Sequence, residues 1–395
     1  MQLESGVPTI AVRDLELQRR ENDLVLGTFG RGFFILDDYT PLRSLSEEAL
    51  EAEAILFTPR RSFMFNETFE LGYSAKAFQG DAFYMAPNPP LGVVFTYYLE
   101  EGLETLEEQR QEAESETEEA GGSVSYPSWD ELRREDREQG PVIVLTVRDQ
   151  AGEIVRRVTG PTGAGLHRVS WDLQLPPPDP VDLTVPGFVP PWAGTPQGPL
   201  AAPGRYDVEL VLVSSAGVQS LGTQQQFTVK PLPTAPPGTD FTVVAAFQRE
   251  TGELMRQVAG AGEEIGRARE RLRHMRAALL ETPRADPALF ARLDQLGAAL
   301  QGLQTKLSGD RIRGRLSEST VPSIRGRVGR VIGGHWDTRQ APTATQRRNL
   351  EIARDDFAGL RQDVSALLEN TLAQLEADLE AAGAPWTPGR RLQGR

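Results

Sequence analysis

The chain has 395 residues, enough for two or three domains, and its 39% hydrophobic and 25% charged residues are ordinary for a globular protein. A formal net charge of -14 argues against a general binder of nucleic acid or of anionic membranes, since both would repel it. The absence of cysteine excludes thiol catalysis, disulfides and cysteine-ligated zinc. No signal peptide is recognisable after Met1, and no apolar run reaches the roughly 18 to 20 residues of a membrane span.

The stretch from Asp23 to Asp38 predicts a β-hairpin. Two short apolar runs, Leu24 to Leu26 and Phe33 to Leu36, flank a Gly-Thr-Phe-Gly-Arg-Gly turn. A lone hairpin is only marginally stable in water, and a further strand at Val7 to Val12 would complete most of one four-stranded propeller blade. Because a propeller needs several blades, residues 1–45 are predicted to be an incomplete last blade.

Eight short segments rich in β-branched and aromatic residues follow a short helix that Ser46 is predicted to cap. They are Ile55 to Thr58, Ser62 to Phe65, Val93 to Leu99, Val142 to Asp149, Ile154 to Val158, Leu166 to Leu173, Tyr206 to Ser214 and Gln225 to Val229. Gly, Pro, Asn or Asp separates them. Short strands in such succession favour a β-sandwich of immunoglobulin-like type over residues 46–232.

An acidic insertion interrupts that domain at residues 100–140. From Glu100 to Glu119 there are ten glutamates and a single arginine, Arg110. Such a block is typical of a solvated helix or a disordered arm. A second short helix, capped by Ser128, is predicted to end before Gly140. The alternative is a surface that holds a basic partner or a cation, although no residue spacing fixes a coordination geometry.

A proline-rich segment from Pro176 to Pro203 carries Trp192 in its middle and is predicted to be a long loop. An exposed Trp192 would suit carbohydrate, because an aromatic face stacks on the C–H surface of a sugar. The alternative, which we favour, is that Trp192 packs the loop onto the core. On the carbohydrate interpretation, Trp192 is a candidate ligand-binding residue.

Beyond a linker from Lys230 to Gly238 the hydrophobic period becomes helical. Apolar stripes predict three long amphipathic helices, which run from Phe241 to Leu279, from Pro287 to Leu307 and from a Thr343 cap to Leu379. Three such helices with short joints imply an antiparallel helical bundle over residues 233–395. The whole chain is therefore predicted to be a multidomain β plus α protein.

The sequence shows no catalytic or metal-binding constellation. His167, His274 and His335 lie in three different predicted elements, so they share no metal-ligand spacing. Asp37 and Asp38 are adjacent, so on a strand their side chains point to opposite faces and cannot by themselves form a glycosidase pair. No catalytic residue, metal or cofactor is assigned.

Two stretches rich in Gly or Arg remain. The glycines from Gly27 to Gly32 match neither phosphate-binding pattern, and positive φ angles explain them better. Arg31 in that turn would either meet an anion in a propeller channel or pair with Asp37 or Asp38. The arginine-rich stretch from Arg311 to Arg330 lacks interleaved aromatics for base stacking, so no nucleic-acid partner is expected.

Seven motifs together resemble one family. They are Val12-Arg-Asp-Leu15, Asn22 to Asp38, Pro41-Leu-Arg43, Tyr126-Pro-Ser-Trp129, Gly165 to Asp172, Pro203-Gly-Arg-Tyr206 and Ala384 to Pro388. In them the chain resembles the C-terminal portion of bacterial BNR-repeat, sortilin-like β-propeller proteins, often labelled glycosyl hydrolases or sialidase-like. The resemblance covers nearly the whole chain. It implies that most propeller blades precede Met1 and that the protein is exported to the periplasm or the outside.

The resemblance carries no catalytic residue onto this chain. A sialidase-like site needs an arginine cluster, a Tyr/Glu pair and an acid on the propeller, and the Asp-box Ser-x-Asp-x-Gly-x-Thr-Trp is missing. The expectation is a non-catalytic scaffold or interaction region whose partner is a carbohydrate or a protein. One alternative is the accessory part of a sialidase-like glycoside hydrolase with its active site in the preceding propeller. Another is a sortilin-like propeller that binds a peptide near Phe29 and Arg31.

Overall fold

A computed structural model describes residues 9–65, 86, 88–184, 186–190, 193–222, 224–233 and 237–390. The chain is a β plus α protein, 41% helical and 21% strand. It divides into two compact units. The first unit comprises Met1–Gln174 and Pro203–Pro233, and the second comprises Leu175–Ala202 and Thr234–Arg395.

The described part of the first unit contains twelve strands. They are β1 (Val12–Gln18), β2 (Asp23–Thr28), β3 (Phe33–Leu36), β4 (Ala54–Leu56), β5 (Ser62–Met64), β6 (Val93–Leu99), β7 (Val142–Arg148), β8 (Ile154–Gly160), β9 (Gly165–Trp171), β10 (Gly204–Ser214), β11 (Gly217–Ser220) and β12 (Gln225–Pro231). The first sheet has the order β1-β2-β3 and the second β4-β6-β9. The third has the order β5-β12-β10-β7-β8, with β11 paired to β10. Only the β5–β12 pairing is parallel among these described pairs.

Aromatic rings join the second and third sheets in one core. Phe95 of β6 lies with its ring centroid 5.7 Å from that of Phe227 on β12. Trp171, at the end of β9, packs edge-on against Tyr206 of β10 at 6.0 Å. All four side chains are buried. Burying each large apolar side chain contributes about 1.5 to 3 kcal/mol, so these rings are a main source of stability for the two sheets.

The first strand lies later in the chain than the sequence suggested. Residues 9–11 are not in a strand, which corrects the prediction of a strand from Val7 to Val12; residues 7 and 8 lie outside the described part of the chain. Strand β1 instead pairs Leu15 with Leu26 and Leu17 with Leu24. Arg13 and Asp14 before the first leucine, and Glu16 between the two, obscured the apolar alternation of β1.

Two short helices, α1 (Thr40–Arg43) and α2 (Glu47–Leu50), follow β3 and precede β4 along the chain. The backbone N–H of Ala49 donates to the Ser46 hydroxyl at 3.1 Å, so the predicted cap is confirmed.

The acidic insertion folds as two helices, α3 (Leu106–Glu119) and α4 (Trp129–Arg137). Each begins with a reciprocal capping box, and neither helix buries a side chain. Arg110 joins them by donating to both carboxylate oxygens of Glu135, at 2.8 and 3.0 Å, and to Glu114 at 2.8 Å. Caps and one charge cluster therefore hold this acidic hairpin, which has no apolar core.

The described part of the second unit contains six α-helices. They are α5 (Phe241–Leu280), α6 (Ala288–Ser308), α7 (Arg311–Arg315), α8 (Ile324–His335) and α9 (Ala344–Ala366), which continues through a π-helical segment (Leu367–Leu372) into α10 (Ala373–Ala381). Apolar side chains from all the long helices form one cluster, in which Ile265, Met275 and Leu300 have no exposed surface. Helices α7 and α8 occupy the stretch that the sequence indicated only as basic, and Asp310 and Ser323 cap them.

Candidate functional site

The first sheet presents apolar side chains on both faces. Directly opposite residues share a face of an antiparallel sheet. One face carries the rows Leu15, Leu26, Phe34 and Leu17, Leu24, Leu36; the other carries Val25, Phe33 and Ile35. None of these side chains is buried, and Leu15 is 58%, Phe33 71% and Ile35 51% exposed. Contiguous exposed apolar side chains of this kind mark an interaction surface.

A cleft of about 490 Å³ lies in the first unit beside the end of this sheet. Its charged lining comes from Glu21, Asp23, Asp37, Asp38, Arg60, Arg61 and Arg168. Its apolar lining includes Phe63 on β5 and Phe65 just after it, Leu91 just before β6 and Val93 at the start of β6. Volume and lining fall within the range of small-molecule sites, which combine an apolar wall with a few polar groups.

Two carboxylates lie close together in this cleft. Asp23 and Asp37 adjoin Leu24 and Leu36, the last residues paired between β2 and β3. Like charges on neighbouring strands are destabilising. Burial, and then the charge of Asp23, raise the pKa of Asp37, although Arg168 and Arg60 act in the opposite direction. The pKa of Asp37 is therefore raised even though two arginines lie close enough to lower it.

Two residues with strained backbone angles adjoin the pair, one before β2 and one after β3. Asn22 and Asp38 have φ angles of 57° and 44°, the left-handed region that residues other than Gly rarely adopt. The backbone N–H of Tyr39 donates to the main-chain oxygen of Asn22 at 2.8 Å, and that of Asp38 donates to Asp23 Oδ1 at 3.0 Å. Such outliers are concentrated at functional sites, where surrounding structure maintains them.

The arginines of the cleft make contacts of their own. Arg60 donates to the main-chain oxygen and the carboxylate of Glu21 and lies 3.9 Å from Asp38 Oδ1. Arg168 Nη2 donates to the main-chain oxygen of Asp38 at 2.6 Å. Asp37, by contrast, accepts no hydrogen bond from any residue that the structure describes.

The residues that the sequence singled out lie elsewhere. Phe29 and Arg31 are exposed in the turn between β2 and β3, and Phe29 is 66% exposed. Within the described residues Arg31 makes no ion pair with Asp37 or Asp38, which corrects that alternative. Trp192 lies outside the described residues.

The sequence did not predict that Asp23, Arg60 and Arg168 lie in one cleft with Asp37. The proximity of Asp23 to Asp37 was predictable, because a hairpin centred on the glycine turn brings these two positions together. The positions of Arg60 and Arg168 were not predictable, since Arg168 reaches Asp38 across 130 residues of sequence. Only tertiary packing brings these guanidinium groups to the turn.

The described residues include no group of three His, Asp or Glu side chains placed to hold a metal ion. None of the described helices has the combined length and apolarity that a membrane crossing requires. Comparisons with family models, with curated proteins and with solved structures found no match to this chain.

Proposed function

We propose that the chain is a non-catalytic scaffold or interaction region of an exported β-propeller protein, and that the first sheet is its docking surface. The supporting observation is that both faces of this sheet carry apolar side chains, none of which is buried and several of which are exposed. Neighbouring blades cover both faces of a propeller blade, so a further β-sheet is the partner that this surface fits. The resemblance to BNR-repeat, sortilin-like proteins supports the same assignment and the export.

The finer architecture is part of this proposal. Residues 1–45 form the last propeller blade, residues 46–232 an immunoglobulin-like sandwich and residues 233–395 an antiparallel helical bundle. The shared core of the second and third sheets supports the sandwich. The contacts of α5 with α6 and of α8 with α9 support the bundle.

A second candidate is the accessory part of a sialidase-like glycoside hydrolase. Only the family resemblance supports it; the Asp23–Asp37 pair would instead be a site for catalysis within this chain, because two carboxylates, one with a raised pKa, are the usual requirement of glycoside hydrolysis. We expect no turnover of aryl glycosides or sialosides by this chain. Turnover that Asp37→Asn abolishes would place catalysis in the cleft and overturn the non-catalytic proposal.

A third candidate, a sortilin-like peptide site at Phe29 and Arg31, is favoured only by the exposure of these side chains.

Self-association tests the docking surface. With its apolar faces in water, the chain is expected to form dimers or larger species as its concentration rises, measured by size-exclusion chromatography with light scattering. The double variant Leu15→Lys/Leu17→Lys should stay monomeric, because lysines on an edge strand oppose pairing and burial. Val181→Lys is the matched control, since Val181 is apolar and 89% exposed outside the first sheet.

A monomeric wild-type chain that also leaves an apolar dye such as ANS unbound would contradict the proposal. Association that the control reduces as much as the double variant does would also contradict it, because the first sheet would then not be the surface involved.

A further inference from the structure

The cleft at the end of the first sheet is not part of the proposed docking surface. We propose that this cleft binds a ligand with a primary ammonium or guanidinium group on an apolar stem, with the cation between Asp23 and Asp37. The proposal does not depend on what the faces of the first sheet dock against.

The charges of the cleft favour a cation. Asp23 and Asp37 adjoin the last paired residues of the hairpin, and the negative charge of Asp23 acts unfavourably on ionised Asp37. Asp23 accepts one backbone hydrogen bond, from Asp38, whereas Asp37 accepts none from the described residues. A cation placed between them would satisfy Asp37 and remove the repulsion. The raised pKa of Asp37 has the same origin, because it reports burial and a neighbouring negative charge.

An anion would fit this cleft less well. The guanidinium groups of Arg60 and Arg168 already donate to Glu21 and to the main-chain oxygen of Asp38. Arg61 lies over the ring of Phe63, with 5.8 Å between its guanidinium carbon and the ring centroid. An anion close enough to meet these arginines would also approach Asp37.

The walls of the cleft account for the apolar stem. Phe63, Phe65 and Leu91 line the side formed by β5 and the segment before β6. A volume of about 490 Å³ has room for a ligand of amino-acid to drug size. The strained backbone at Asp38 fixes the acidic end, so the carboxylates are held in position before a ligand arrives.

A free amine and a lysine or arginine side chain of a partner offer the same chemistry. Isothermal titration calorimetry of the full chain with n-hexylamine and with N-acetyl-lysine methylamide separates the two sources. Preference for n-hexylamine indicates a small-molecule ligand, and preference for the capped lysine indicates a peptide. Hexan-1-ol is the neutral analogue of the first probe.

We expect at least one amine to bind, and hexan-1-ol to bind about tenfold more weakly or not at all, because it lacks the charge-assisted hydrogen bonds. Asp37→Asn should weaken amine binding by a similar factor, while Asp14→Asn, on β1 outside the cleft lining, should leave it unchanged. Lowering the pH should weaken binding as Asp37 becomes protonated. Thermal unfolding of each variant verifies that it is folded.

Three results would overturn the proposal. The first is that neither amine binds, the second that hexan-1-ol binds as tightly as n-hexylamine, and the third that a folded Asp37→Asn variant retains full affinity.

Discussion

Asp37 lies beside a second carboxylate, that of Asp23. Neighbouring side chains on adjacent strands are ordinarily apolar or of opposite charge. Asp37 directly follows Leu36, which pairs with Leu24, and it lies close enough to Asp23 for that charge to act on it. A local conflict of this kind is expected where function, rather than stability, determines the residue. The hairpin of β2 and β3 was predictable from its glycine turn and apolar runs. Its carboxylate pair follows from the register, but the arginines around it do not.

Replacement of Asp37 by Asn should stabilise the fold at neutral pH. Because the folded-state pKa of Asp37 is raised, ionisation destabilises the folded state as pH rises through this pKa. Removing the charge should add about 0.2 to 1 kcal/mol to the free energy of unfolding at pH 7. The gain should vanish below the ordinary aspartate pKa of 3.8, where the carboxyl is protonated in both states. Urea denaturation of both proteins at pH 7 and below pH 3.8 measures this gain in the free energy of unfolding. A loss of stability on substitution at pH 7 would contradict the expectation.

His335 should make the second unit sensitive to acid. Burial lowers its pKa, and Arg347 lowers it further, although the contact of Nε2 with the main-chain oxygen of Gln340 at 3.1 Å raises it. A depressed folded-state pKa gives stability above the unfolded value of 6.5 that is lost as pH falls through the folded pKa. His335→Gln should therefore flatten the fall in melting temperature between neutral and mildly acidic pH. The exposed His274, changed to Gln, should not.

At the scale of elements, patterns with a local cause were predictable. The Ser46, Ser128 and Thr343 caps all accept their expected backbone hydrogen bonds. Strand β11 (Gly217–Ser220) was missed because its residues are mostly polar, and it exists by pairing with β10. Helix α8 was missed because its arginines and glycines hide Val328 and Val331, which are buried. Tertiary contacts decide such segments.

The acidic hairpin should depend on Arg110. Replacing it with Gln removes the hydrogen bonds that join α3 to Glu135 of α4, so both helices should lose amide protection in hydrogen exchange. Strand β7, next along the chain, should be unaffected. Arg133→Gln is the matched control, because Arg133 is exposed and, among the residues that the structure describes, donates only to Asp130 within α4. Equal effects of both substitutions would show that general charge, rather than this contact, holds the hairpin.

The three sheets of the first unit differ in how many of their side chains are buried. The second and third sheets bury large side chains, including Phe95, Leu145 and Val208, which have no exposed surface. The first sheet buries none of its side chains. Stability that varies in this way implies that the first sheet opens at a lower free energy than the others. A sheet that needs a partner to become stable is what the proposed docking function requires.

Hydrogen exchange measured by mass spectrometry tests this claim most directly. At a concentration where the chain is monomeric, amides of β1 to β3 should exchange much faster than those of β7 and β10, and association of the chain should protect them. Protection of the first sheet equal to that of β7 and β10 in the monomer would contradict the account, because the sheet would then be stable without a partner.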